Sequence, residues 1–197
     1  PQCGTKLGGC ILLLPETRGS GGTPGGIAEA IRLGTGPLGI ILITPERVKD
    51  GRLWYAPWLF KGQHASMAGL ATSGTLTHWF RQNFAKELPA ESAIITLSAE
   101  AEASPPAAKG LVVLPYFSGE RTPIHDTRAK GMVFGLDLTH ERGDVFRAVL
   151  EGIAHGTKHV FDTYGECGQV PKAIYAVGGG TKNRPRSQAT ADIGKVT

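Results

Sequence analysis

Apolar positions fall into short solid runs and longer periodic stretches, and the two patterns predict different elements. Gly39-Ile40-Ile41-Leu42-Ile43-Thr44 is a compact run stopped by Pro45 and predicts a buried strand. Arg52 to Phe60 is rich in aromatic residues but contains Pro57, which confines it to an edge or a bend. His64 to Ala71 reads as a further short strand, and Leu111-Val112-Val113-Leu114, within Gly110 to Phe117, as a strand buried on both faces. Gly131 to Leu138 and Ala173 to Val177 repeat the extended pattern.

Helical periodicity separates these runs. Thr72 or Ser73 is placed to cap a helix reaching about Leu88, with Leu76, Trp79, Phe80 and Phe84 as its apolar stripe. Glu91 to Ala103 predicts a second helix, closed by Pro105-Pro106. The strongest helical pattern runs from Gly143 to Tyr164, where Phe146, Val149, Leu150, Ile153, Thr157, Val160, Phe161 and Tyr164 recur at three- and four-residue steps. A last helix is expected to end near Ile193. Strands interleaved with helices define an α/β protein.

Composition narrows this picture. The 197 residues suit one substantial domain or two small ones, and 28 of them are glycine. Gly19 to Gly26 holds a dense cluster, so residues 1–33 are expected to be a poorly defined Gly-rich segment and residues 34–197 the folded unit. The net charge of +4 could help hold an anion, but Lys and Arg are scattered, so no nucleic-acid partner is expected. Cys3, Cys10 and Cys167 match no metal or redox spacing, which suggests reduced cysteines in the cytoplasm. The run Cys10 to Pro15 is too short to span a bilayer, and no membrane association is expected.

The chemistry-bearing stretch is the strand Ala173–Val177 followed by Gly178-Gly179-Gly180-Thr181-Lys182-Asn183 and a helix. Glycines at such a turn let backbone come close to a ligand, and the helix start behind them offers free N–H groups suited to phosphate. On these residues alone the turn reads equally as a tight connection. Three further segments stand beside it: Gly34-Thr35-Gly36 before the first strand, Thr72-Ser73-Gly74 opening the helix with His78, and the loop Ser118-Gly119-Glu120-Arg121-Thr122-Pro123. Thr35 by itself fits a plain turn, and His78 a surface or core histidine. Glu120 and Arg121 suit a structural pair fixing their loop, and Glu151 a buried polar residue. His155 and His159 lie four apart on one helix face, a metal-compatible spacing with no third ligand in view, so no metal site is expected.

Taken together, and with Gly131–Leu136 and Arg147–Gly152, these segments resemble the C-terminal domain of the FGGY family of carbohydrate kinases, most nearly its xylulokinase-like branch. The resemblance covers roughly Gly34 to Asp192. It implies a ribonuclease H-like/actin-like ATPase fold in which this chain is the single C-terminal lobe, with ATP and Mg²⁺ as cofactors. It also implies nucleotide contacts at Gly34, Thr35, Gly36, Gly74, His78, Gly179, Gly180, Thr181 and Asn183. The family's general base is an aspartate, and Gly25 stands about where it belongs, so no catalytic residue is expected here. Arg184-Pro185-Arg186-Ser187 replaces a stretch that usually carries tryptophan, and the lobe is expected to be incomplete at its C-terminal end. The family's sugar-binding N-terminal lobe has no counterpart in these residues, so sugar is expected to bind only alongside that lobe. The resulting expectation is a lobe that binds nucleotide without turning over alone. The alternative is a non-catalytic module acting through protein association, including self-association.

Overall fold

The computed structural model describes residues 10–15, 38–58, 61–169, 173–176 and 183–194. Its larger sheet has five strands in the order β3-β4-β2-β1-β7. These are β1 (Cys10–Pro15), β2 (Leu38–Thr44), β3 (Trp54–Pro57), β4 (His64–Leu70) and β7 (Ala173–Ala176). The compact run becomes β2, with Ile40 and Leu42 fully buried. Pro57 closes β3, which lies at the sheet edge, where a missing backbone donor is tolerated. β1 pairs antiparallel with β2 and parallel with β7, so the Gly-rich first third of the chain supplies an internal strand that its composition hid.

Helix α1 (Gly74–Phe84) is shorter than the stripe suggests. Ala85 leaves helical geometry, and the Leu88 N–H bonds back to its carbonyl at 3.2 Å. That turn lets Ala85 and Leu88 reach the core, which a continued helix would not permit. Only Leu76 and Phe80 of the stripe are buried in α1, whereas Trp79 and Phe84 remain exposed. Helix α2 (Ala93–Ala103) buries Ala93, Leu97 and Ala101.

The central helix α3 (Arg142–Glu166) is apolar around much of its circumference because other elements cover several of its faces. Phe146 meets Phe80 of α1 with ring centroids 5.1 Å apart. A Cβ on Gly152 would lie 2.5 Å from the Val113 carbonyl oxygen, so this glycine lets a strand cross directly over the helix. That strand, β5 (Val112–Leu114), pairs among the described residues with β6 (Met132–Phe134) in a two-stranded ribbon. The expectation of a strand buried on both faces is therefore corrected: Val113 is buried against α3, whereas Val112 and Leu114, on the opposite face of the strand, are exposed. Met132, Phe134, Leu136 and Leu138 are exposed as well.

A capping box starts α3: the Glu141 side chain accepts from the first turn while the Glu141 N–H donates to Asp144 Oδ2 at 2.8 Å. Lys109 Nζ also reaches Asp144 Oδ2 at 2.8 Å. Burial opposes ionisation of Asp144, but the Glu141 N–H and the Lys109 ammonium outweigh it and lower the pKa to about 2. A depressed carboxyl pKa stabilises the fold at pH above the ordinary 3.8, and that contribution fades as pH falls toward about 2. Asp144→Asn is expected to cost about 1–2 kcal/mol at neutral pH and to flatten that acid limb, as read from urea unfolding at stepped pH.

Candidate functional site

Helix starts leave the first backbone N–H groups without intrahelical acceptors. At α1 the N-cap residue Ser73 makes no capping bond with its side chain, and the first turn contains no acidic residue. Gly74 is the first helical residue and is buried. The N–H groups of this turn thus have no competing carboxylate on their own helix. His78 lies one turn further along, half-buried, and its pKa is lowered first by burial and then by the Arg81 charge. A lowered imidazole pKa makes His78 neutral at pH 7, able to donate from one ring nitrogen and accept at the other.

The second helix start belongs to α4 (Arg184–Gly194). Asn183 caps it, its Oδ1 accepting from the Arg186 N–H at 3.1 Å and its carbonyl from the Ser187 N–H at 3.0 Å. Its amide also donates to Ser98 Oγ of α2 at 2.7 Å. Arg186 Nη2 donates to Ser73 Oγ at 2.7 Å. Two side-chain bonds therefore tie the start of α4 to the N-cap of α1 and to α2. Of the sequence-predicted contacts, Gly74, His78 and Asn183 are described and belong to these adjoining elements. Gly34, Thr35, Gly36, Gly179, Gly180 and Thr181 lie outside the described residues. Sequence reasoning missed Ser98 and treated Arg186 only as a departure from a pattern. The available signal was a basic residue three positions after a capping asparagine.

The Ser118–Pro123 loop is fixed by its acid. Glu120 is 3% exposed, and its Oε1 accepts from the Ala71 N–H at 2.8 Å and the Arg121 N–H at 2.7 Å. Burial raises the Glu120 pKa against these two amides and the Arg121 charge. Arg121 donates from Nη2 to the Leu70 carbonyl at 3.1 Å and lies over Trp54, 5.4 Å from its ring centroid. The pair thus anchors its loop to the end of β4 largely through backbone groups. Glu151 is likewise structural, accepting from Arg147 Nε at 2.8 Å and the Ala107 N–H at 3.1 Å.

A cleft of about 550 Å³ opens between β5 and α3, lined by Val112, Leu114, Pro115, Glu151, His155 and His159 among others. None of the described nucleotide candidates lines it. Among the described residues no group of three His, Cys, Asp or Glu is placed to hold a metal, and no helix is long and apolar enough to cross a membrane.

Residues 30–197 match the FGGY family of carbohydrate kinases, C-terminal domain. The chain is 33% identical over 161 residues to xylulose kinase of Bacillus subtilis, covering 80% of this chain and 32% of that protein. Xylulose kinase from Rhodospirillum rubrum superposes with a TM-score of 0.80 at 30% identity, covering 98% of this chain and 35% of that one. Plasmodium falciparum glycerol kinase, solved with ADP, gives a TM-score of 0.68 at 25% identity over 80% of this chain and 32% of its own. The fold is the actin-like ATPase fold of these kinases. The chain belongs to the FGGY family of carbohydrate kinases and corresponds to its C-terminal domain. It spans about a third of the length of the relatives it matches.

Proposed function

We propose that this chain is the nucleotide-binding lobe of an ATP-dependent sugar or polyol kinase. The observation that carries the reading is the joining of two helix starts: Arg186 ties α4 to Ser73, and Asn183 ties it to α2. Phosphoryl transfer depends mainly on positioning and charge stabilisation, which backbone donors and small residues supply. ATP would bring the phosphoryl group. The first-turn N–H groups of α1 would take phosphate oxygens, and neutral His78 would bond a polar edge of the nucleotide. The lack of acidic residues in the first turn of α1 fits an anion there. Gly34–Gly36 and Gly179–Thr181 complete the proposed set. No described residue of the set is a carboxylate, so Mg²⁺ would be held by phosphate oxygens and water. A kinase that draws on ATP works where ATP is, and the cytoplasm is the proposed compartment.

No base is assigned, and sugar contacts are assigned to an N-terminal lobe of the family's kind. Calorimetry with ADP and Mg²⁺ is expected to show saturable binding at or below about 1 mM nucleotide, roughly 4 kcal/mol of binding free energy. No phosphorylation of xylulose or gluconate by the chain alone is expected. An absence of heat at millimolar nucleotide would sink the binding reading, and turnover would sink the claim of inactivity.

A second reading, association through protein contacts, is favoured by one observation. Val112, Leu114, Met132 and Phe134 form paired exposed positions on the β5–β6 ribbon, continued by Leu136 and Leu138. Light scattering that finds a nucleotide-independent oligomer with no affinity for ADP would support it over the kinase-lobe reading.

A further inference from the structure

Arg186 sits in the first turn of α4, half-buried, with one guanidinium nitrogen on Ser73 Oγ at 2.7 Å. Ser73 is neutral. No ion pair joins Arg186 to a carboxylate among the described residues, and its other guanidinium N–H groups have no partner there. Burial lowers its pKa to about 10, and no neighbouring anion offsets the shift. The side chain is still a cation at pH 7. A half-buried cation without a counter-charge beside it is a favourable place for an anion to bind.

The geometry says where that anion would sit. The Ser73 hydroxyl that holds the guanidinium belongs to the N-cap residue of α1. The α1 helix start and Arg186 therefore present positive character at one place. The first turn of α1 has no acidic residue to cancel it. Asn183 orders the first turn of α4 by accepting from the Arg186 N–H, which fixes the root of the side chain.

Resting on the nucleotide-site reading above, we propose that Arg186 is an anion-contacting residue of this site. Its remaining guanidinium N–H groups take phosphate oxygens of the nucleotide, while Ser73 holds the guanidinium in place. Guanidinium donors match phosphate geometry, and a charge-assisted pair of this kind is among the stronger hydrogen bonds. Arg186 belongs to the stretch Arg184–Ser187, where the family resemblance would put an aromatic side chain.

The test uses the whole 197-residue chain, with ADP–Mg²⁺ as ligand and pyrophosphate as competing anion. Arg186→Gln is expected to weaken both by about tenfold or more, the loss of one charged hydrogen bond. Arg186→Lys is expected to recover most of that loss, and both variants to keep the wild-type melting temperature within a few degrees. If Arg186→Gln fails to fold, Ser73→Ala decides instead: it removes the holder, leaves the charge, and is expected to weaken both ligands by about threefold, with unchanged binding of both overturning the proposal. A variant that weakens ADP but leaves pyrophosphate competition unchanged would show a structural clasp and overturn the proposal. Unchanged binding of both ligands, or pyrophosphate that never competes on the wild-type chain, overturns it while leaving the nucleotide reading intact. A wild-type chain that binds neither ligand overturns both.

Discussion

Tyr164→Ala is expected to lower stability by about 3–5 kcal/mol, the range for removing a large buried aromatic side chain. Tyr164 is fully buried near the end of α3. Its hydroxyl donates to the Ser66 carbonyl of β4 at 2.8 Å, with the Ile40 carbonyl of β2 at 3.4 Å. One side chain thus fills space under the sheet and fixes the helix against two strands. Burial also pushes its phenol pKa well above the usual value, so the hydroxyl stays a donor at all working pH values. Tyr164→Phe keeps the ring and is expected to cost only about 1 kcal/mol, one hydrogen bond. Urea unfolding of both variants separates the contributions. A loss under about 1.5 kcal/mol for the alanine variant would mean that the sheet and α3 are not packed as described.

Glu120→Ala is expected to cost about 2–3 kcal/mol, because it leaves the Ala71 and Arg121 N–H groups without their shared acceptor in a buried setting. Ala71 is joined to Gly74 by Thr72 and Ser73, so the same change is expected to loosen the entrance to α1 and weaken nucleotide binding. Glu120→Gln keeps one acceptor oxygen and removes the charge, and a smaller loss is expected. The pH dependence separates the two effects. A raised carboxyl pKa means that the folded state holds its proton more tightly than the unfolded chain. Its contribution is therefore full below the ordinary value of 4.5 and declines as pH rises through the higher folded value. That decline is expected to vanish in Glu120→Gln. A pH profile identical to wild type would exclude Glu120 as its source.

Several elements were legible because local pattern and tertiary environment agree. β2 is apolar throughout and lies between two other strands, and α3 carries its period over 25 residues. The helix after the glycine turn was likewise legible, and it opens on the capping Asn183. Other features were not. β5 has the same solid apolar run as a strand buried on both faces, yet one of its faces is exposed, and no residue within the run records which face is covered. The end of α1 was misplaced because Leu88 continues the helical spacing but reaches the core through a turn.

The identities and spacing of the residues determined the α/β class, the order of most elements and the family. Periodicity and turn chemistry act over a few residues, and the family motifs are contiguous stretches. Tertiary structure alone decided that Cys10–Pro15 enters the sheet between β2 and β7, and that Arg186 meets Ser73 across 113 positions of chain. It also decided that Glu120 holds Ala71. These are pairings between distant segments. Whether a charge is solvated, paired or left waiting for a ligand depends on what folds against it, and no local pattern carries that information.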